Sequence, residues 1–196
     1  MSVADYLIQL TLSVFLIIGA YQFYFWCQRN PLTEPRELRL PVDDLIPYRP
    51  SWVWIYSFLY YPVILYTNFM VRSPREFTHL AMSYLLLLAL QMAFFVAFPV
   101  VTPEEWRQRQ APQTYSESFL SFVQRLDARS NSFPSMHTSV ATLTALHLQP
   151  SLGAWAWAFP LMIGLSCVFT KQHYLIDVPA GAVAGAVAYW GYSLTM

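Results

Sequence analysis

The amino-acid sequence predicts an all-α, polytopic membrane protein in which six transmembrane helices form one bundle, a single domain over residues 1–196. Three observations predict it. Of 196 residues, 56% are hydrophobic, 17% aromatic and only 11% charged, against about a quarter charged in soluble domains. Three uninterrupted apolar runs, 6–27, 52–71 and 79–100, each reach the ~20 residues that a helix needs to cross a hydrocarbon core of ~30 Å. From Phe133 a second apolar block runs to Met196, divided by Pro150-Ser151 and by Thr170-Lys171-Gln172-His173 into segments 135–149, 152–170 and 177–195.

Taken in order, the first run has no Lys or Arg before it and no small-residue cleavage site after it, so it reads as a retained helix rather than a secretory signal. In the connection 28–51, Pro31, Pro35, Pro41, Pro47 and Pro50 forbid a long helix and leave extended chain with one turn around Asp43-Asp44. The connection 101–133 holds Phe119, Phe122, Val123 and Leu126 at helical spacing, with Glu117, Gln124, Arg125 and Asp127 elsewhere, the pattern of a short helix lying in the interface. The fourth span is short, about 15 residues or roughly 22 Å, so its start is expected below the membrane surface. Gly181, Gly185 and Ala188 give the last span a small-residue face for close helix packing.

Charge and cysteine usage exclude several classes. Eleven basic and eleven acidic side chains balance to a net charge of zero, which argues against a nucleic-acid partner. Cys27 and Cys167 lie inside apolar runs, at a spacing that suits neither zinc nor a disulfide framework.

With six spans, the connections 28–51, 101–133 and 170–177 emerge on one face. His137 opens the fourth helix from that face, His173 and Asp177 lead into the sixth, and Arg107 and Arg109 follow the third. On a helix, His173 and Asp177 stack four apart. The carboxylate then accepts a hydrogen bond from one ring nitrogen while the other faces a substrate, the arrangement of an oriented nucleophile or base. The bland readings are a local cap for His173 and Asp177, a helix N-cap for Ser135 behind Pro134, and a snorkelling side chain for Lys171. His79 and His147 fall at the opposite end and read as structural.

Pro134-Ser135-Met136-His137, followed about 36 residues later by His173-Tyr174-Leu175-Ile176-Asp177, resembles two signature elements of the membrane-bound type 2 phosphatidic acid phosphatase superfamily. That superfamily also holds bacterial lipid pyrophosphate phosphatases and the inositol phosphorylceramide and sphingomyelin synthases. Its members usually carry Lys-x6-Arg-Pro, then Pro-Ser-Gly-His, then Ser-Arg-x5-His-x3-Asp. Here Met136 replaces the glycine, Ser166 is followed by Cys167 where arginine is usual, and Phe98 to Arg109 contains no Lys-x6-Arg-Pro. Asp44-Leu45-Ile46-Pro47, Phe98-Pro99 and Thr170-x2-His173-Tyr174 look more like the inositol phosphorylceramide synthase branch.

The resemblance implies that His173 attacks phosphorus to form a phosphohistidine, that Asp177 holds its tautomer and that His137 protonates the leaving group, with no cofactor or metal. Ser135, Lys171, Arg107 and Arg109 would meet the phosphate, and the acceptor would be water or a hydroxyl-bearing lipid. A phosphatase, a headgroup transferase and a catalytically silent lipid-phosphate binder or transporter all remain open, as does a metal site built from His137, His173 and Asp177. The expected setting is a bacterial inner membrane with the site extracytoplasmic. Arg29, Arg36, Arg39, Arg49, Arg107, Arg109, Arg125, Arg129 and Lys171 nevertheless share the site's face, with only Arg72 and Arg75 opposite, and the positive-inside rule points the other way.

Overall fold

A computed structural model describes residues 2–107, 112–127 and 129–193. Every regular element among them is a helix, and the one β-type contact is an isolated parallel bridge between Arg36 and Val100. Three helical stretches are long and apolar enough to cross a membrane: Val3–Arg29, Pro74–Ala97 and Met136–Phe169. The first is α1 (Val3–Arg29), opened by a capping box between Ser2 and Asp5. Leu7, Phe15, Ile18, Phe23 and Trp26 stand exposed along it, an apolar surface of the kind that faces lipid rather than water. The second is α4 (Pro74–Ala97), which Ser73 caps and Pro74 starts. It begins five residues before the expected 79, because cap and proline set the start, not hydropathy.

Segment 52–71 is helical through residue 70, as its hydropathy suggests, but its winding is uneven. It winds through a tight turn at Pro50–Trp52 and a wide turn at Ile55–Leu59, and only then into α3 (Tyr60–Met70). Met136–Phe169 also is not one straight rod. It comprises α6 (Met136–Leu152) and α7 (Ala158–Phe169), joined through Gly153 at φ 56° and a tight turn to Trp157. Ser135 Oγ lies 3.8 Å from Cys167 Sγ, so the two ends meet and the run is a hairpin. Six spans were expected, and three stretches meet the length criterion by themselves because turns cut the others short.

The last helix, α8 (Asp177–Ser193), packs tightly on α6. A Cβ on Gly181 or Gly185 would collide with the carbonyl oxygens of Ser135 and Ser139, so these glycines let α8 lie directly on the α6 backbone, as the small-residue face predicted. Tyr60, Leu87, Leu143, Phe159, Ile163 and Ala188 fill the core among α3, α4, α6, α7 and α8.

The connections build one end of the bundle. α2 (Pro41–Leu45) is the expected turn at Asp43-Asp44. α5 (Tyr115–Leu126), capped by Thr114 and Glu117, is the expected amphipathic helix. Its Phe119 stacks on Trp54 at 4.9 Å and 5°. Three extended stretches roof this end: Val101 N–H donates to Arg36 O at 3.0 Å, Ser132 N–H to Val100 O at 3.1 Å, and Thr102 N–H to Arg129 O at 3.0 Å.

Candidate active site

His173 sits in the turn between α7 and α8, not on α8 itself. Asp177 is the first residue of that helix, so the pair meets across a turn rather than along a helix face. The four-residue spacing works all the same: Asp177 Oδ2 accepts the Tyr174 N–H at 2.9 Å and lies 3.3 Å from His173 Nδ1. Nδ1 also approaches the Ser132 carbonyl oxygen at 2.9 Å. A carbonyl oxygen only accepts, so Nδ1 carries the proton and Nε2 keeps the lone pair. Asp177 is fully buried, and its Oδ1 has no hydrogen-bond partner.

Ser132 reaches this position through the roof. Asn131 adopts φ 62°, a left-handed conformation that asparagine tolerates, and its amide donates to Tyr24 O at 3.0 Å. That anchors the 130–133 loop to α1. Asp43, from the first connection, is 1% exposed and clasps the turn that holds His173. Its Oδ1 accepts the Leu175 N–H at 2.8 Å, and its carbonyl accepts Lys171 Nζ at 2.5 Å.

His137 is the second residue of α6. Its ring lies between Tyr56 at 4.1 Å and Tyr60 at 4.9 Å, with its centroid 6.1 Å from that of His173. The packing of α8 on α6 sets this separation, because Ser135 N–H donates to Asp177 O at 3.0 Å. The two histidines and the carboxylate therefore converge as the sequence suggested.

The expected phosphate ligands fare differently. Ser135 Oγ caps α6 by accepting the Thr138 N–H at 3.3 Å and otherwise faces Thr138 Oγ1 and Cys167 Sγ. Lys171 points to Asp43 O and lies 5.0 Å above the Trp106 ring, which places its ammonium in the loop clasp. Arg107 pairs with Asp127 at 2.8 Å and reaches Gln172 Oε1 at 3.4 Å, so it meets the site through these two side chains. Arg109 lies outside the described residues.

A cavity of about 10 Å³ separates the two histidines, walled also by Tyr24, Tyr56, Asp127, Asn131 and Gln172. It is about the size of one water. Ser132, Gln172, Tyr56 and Asp127 belong to this wall without having been singled out from the sequence. The polar triplet Ser130-Asn131-Ser132 just before Phe133-Pro134 was the available signal for the first of them. Among the described residues, no group of three or more His, Cys, Asp or Glu side chains is placed to hold a metal ion.

No curated protein and no solved structure matches the chain. Residues 49–191, which carry His137, His173, Asp177, α3 to α7 and all but the last two residues of α8, match the PAP2 superfamily, and the chain belongs to it.

Proposed function

We propose that the protein is a metal-independent phosphatase or phosphotransferase that acts on a phosphorylated lipid through a phosphohistidine. Membership of the PAP2 superfamily supports phosphatase-type chemistry in general. What carries the reading to particular atoms is the pair of acceptors, Ser132 O and Asp177 Oδ2, on His173 Nδ1. They orient the ring and, in its neutral form, leave the lone pair on Nε2. Nε2 attacks phosphorus, the P–O bond to the leaving group breaks, and the leaving oxygen takes a proton from His137. Water or a lipid hydroxyl then attacks phosphorus, gives its proton to His137 and breaks the N–P bond. The small space between the rings calls for Gln172 or Tyr56 to swing aside when a phosphoryl group binds.

A second reading, headgroup transfer from a phosphodiester lipid, draws on the cations. Among the described residues near the site, Arg107 is neutralised by Asp127 and Lys171 is turned to Asp43. A phosphodiester carries one negative charge and needs less compensation than a monoester dianion. Hydroxyl-bearing headgroups would meet Asp127, Asn131 and Gln172 as acceptors and donors.

We read α1, segment 52–70, α4, α6, α7 and α8 as six crossings of a bacterial inner membrane with the site extracytoplasmic. Single cysteines placed in the 28–51 connection of a chain lacking Cys27 and Cys167 would test the side. Labelling of intact cells by an impermeant maleimide is expected, and labelling only after lysis would reverse it.

The deciding experiment is turnover of a panel of phosphorylated lipids by the purified protein with a chelator present, for wild type and His173→Ala, with and without a hydroxyl-bearing lipid. Histidine-dependent phosphate release establishes the phosphatase, and an acceptor-dependent new phospholipid establishes the transferase. Equal behaviour of wild type and His173→Ala overturns both and leaves a silent lipid-phosphate binder.

A further inference from the structure

Beneath the polar site lies a much larger space, a cavity of about 480 Å³ among α1, segment 56–67, α4 and α6, with α5 at its mouth. The two spaces share a wall made of Tyr24, Tyr56, Asp127, Met136, His137 and Gln172. Away from that wall the lining is mostly apolar, and it includes Phe58, Leu85 and Leu126, which are also exposed on the outside of the bundle. The cavity therefore opens sideways where a membrane lipid would arrive.

Its depth follows from helix geometry. On α4 the lining runs from Phe77 to Gln91 and on α1 from Ser13 to Phe25, which at 1.5 Å per residue is about 21 Å and about 18 Å. One leaflet's share of a ~30 Å hydrocarbon core is about 15 Å. A chain hanging from His137 would thus be housed over the full depth of its own leaflet.

Among the polar side chains in the lining, Gln91 stands near the top. Gln91 is 1% exposed; its Nε2 donates to Ser139 Oγ at 2.8 Å, while its Oε1 has no partner. Ser139 is two residues along α6 from His137, so Gln91 stands about one helical turn below the polar site. A buried acceptor without a donor is costly, and a donor on a bound molecule would relieve it.

We propose that this cavity holds one hydrocarbon chain of the lipid whose phosphate His173 handles, and that Gln91 Oε1 accepts a hydrogen bond from a hydroxyl or amide N–H on that chain close to the phosphate. The inference rests on the proposed function for the placement of the phosphate, and its test is chosen to be independent of turnover. Gln91 selects among lipids by the donor they carry, and the depth of the cavity selects for chain length.

The probe is monohexadecyl phosphate with a diazirine near the end of the chain, photo-crosslinked to the intact His173→Ala protein so that no chemistry intervenes. Labelled peptides should contain the deep lining, Thr67, Phe77 or Leu80. Labels confined to the outward side of α1, at Phe15 or Ile18, would overturn the proposal. A second probe carries a hydroxyl next to the phosphate-bearing carbon. It should compete roughly threefold to tenfold better than the plain probe, the factor of one net hydrogen bond, and Gln91→Leu should remove that preference. A preference that survives Gln91→Leu, or none in the first place, rejects the role of Gln91. Deep labelling in a protein that turns over no lipid would leave the chain slot standing and overturn the catalytic reading instead.

Discussion

The two ends of the bundle each hold a pair of histidines, and the two pairs are partnered differently. At the far end His79 and His147 are closer together than His137 and His173, with ring centroids 5.0 Å apart. Their Nε2 atoms meet hydroxyls, Ser193 Oγ at 3.1 Å and Ser83 Oγ at 2.8 Å, and tyrosines 189 and 192 pack around them. Both hydroxyls already donate to backbone carbonyls, Ser193 to Tyr189 O and Ser83 to Leu80 O, so each accepts from Nε2, which therefore carries the proton. At the near end a carbonyl and a carboxylate put the proton of His173 on Nδ1 instead, and in the neutral ring Nε2 keeps the lone pair. Proximity of histidines is therefore not what distinguishes the pairs; a buried carboxylate on one nitrogen of His173 and a cavity lined by both rings are.

Substitution of the histidines breaks the comparison most directly. His173→Ala is expected to lower turnover by about 10³-fold or more, whereas His147→Ala should leave it within a few-fold, both read as product formed per enzyme in detergent. Comparable losses from both would mean that the far end takes part. Next in size, Asp177→Asn keeps an oxygen for the Tyr174 N–H but removes the charge that steadies His173. A fall in kcat of about 10²- to 10⁴-fold is expected, with KM changed much less.

Changes that touch position rather than chemistry should act more weakly and first on stability. Gly185→Ala drives a methyl into the Ser139 carbonyl and should cost about 1–3 kcal/mol, seen as a lower Tm; an unchanged Tm would mean that α8 can move off α6 freely. Asp43→Ala strips the acceptor from Leu175 N–H, an expected cost of about 1–3 kcal/mol, and should raise KM as the catalytic turn loosens.

The smallest effect is a pH effect at the rim. Glu105 is held below its ordinary carboxylate value by its own backbone N–H and by the Arg39 guanidinium. A lowered folded value means that its stabilising contribution is present above the unfolded value and lost as pH falls through the folded one. Glu105→Gln should therefore lower Tm slightly at neutral pH and not at all in acid, the small effect of an exposed ion pair. A difference that persists in acid would show that packing, not charge, is at work.

Hydropathy, proline placement and capping residues are local properties, and they made the all-helical class, the Asp43 turn, the amphipathic 115–126 helix and the small-residue face of α8 legible in the sequence. The Pro134-to-His137 and His173-to-Asp177 elements were legible too, because a short spacing on a constrained chain leaves little choice of neighbours. Only the tertiary structure decided what fixes His173. Ser132 lies 41 positions away in sequence, and its carbonyl arrives through backbone hydrogen bonds that every residue type makes alike. The direction of the cations is decided in the same way: the charge of Lys171 and Arg107 is written in the sequence, but Asp43 O, Trp106 and Asp127 determine where it points. Hydropathy likewise could not tell the uneven winding of segment 52–71 from a regular helix, since a wide turn changes the hydrogen-bond pattern and leaves the composition untouched. What the chain states locally is which segments are apolar and which residues can do chemistry; which nitrogen is free, and what space it faces, comes from contacts between segments far apart in the chain.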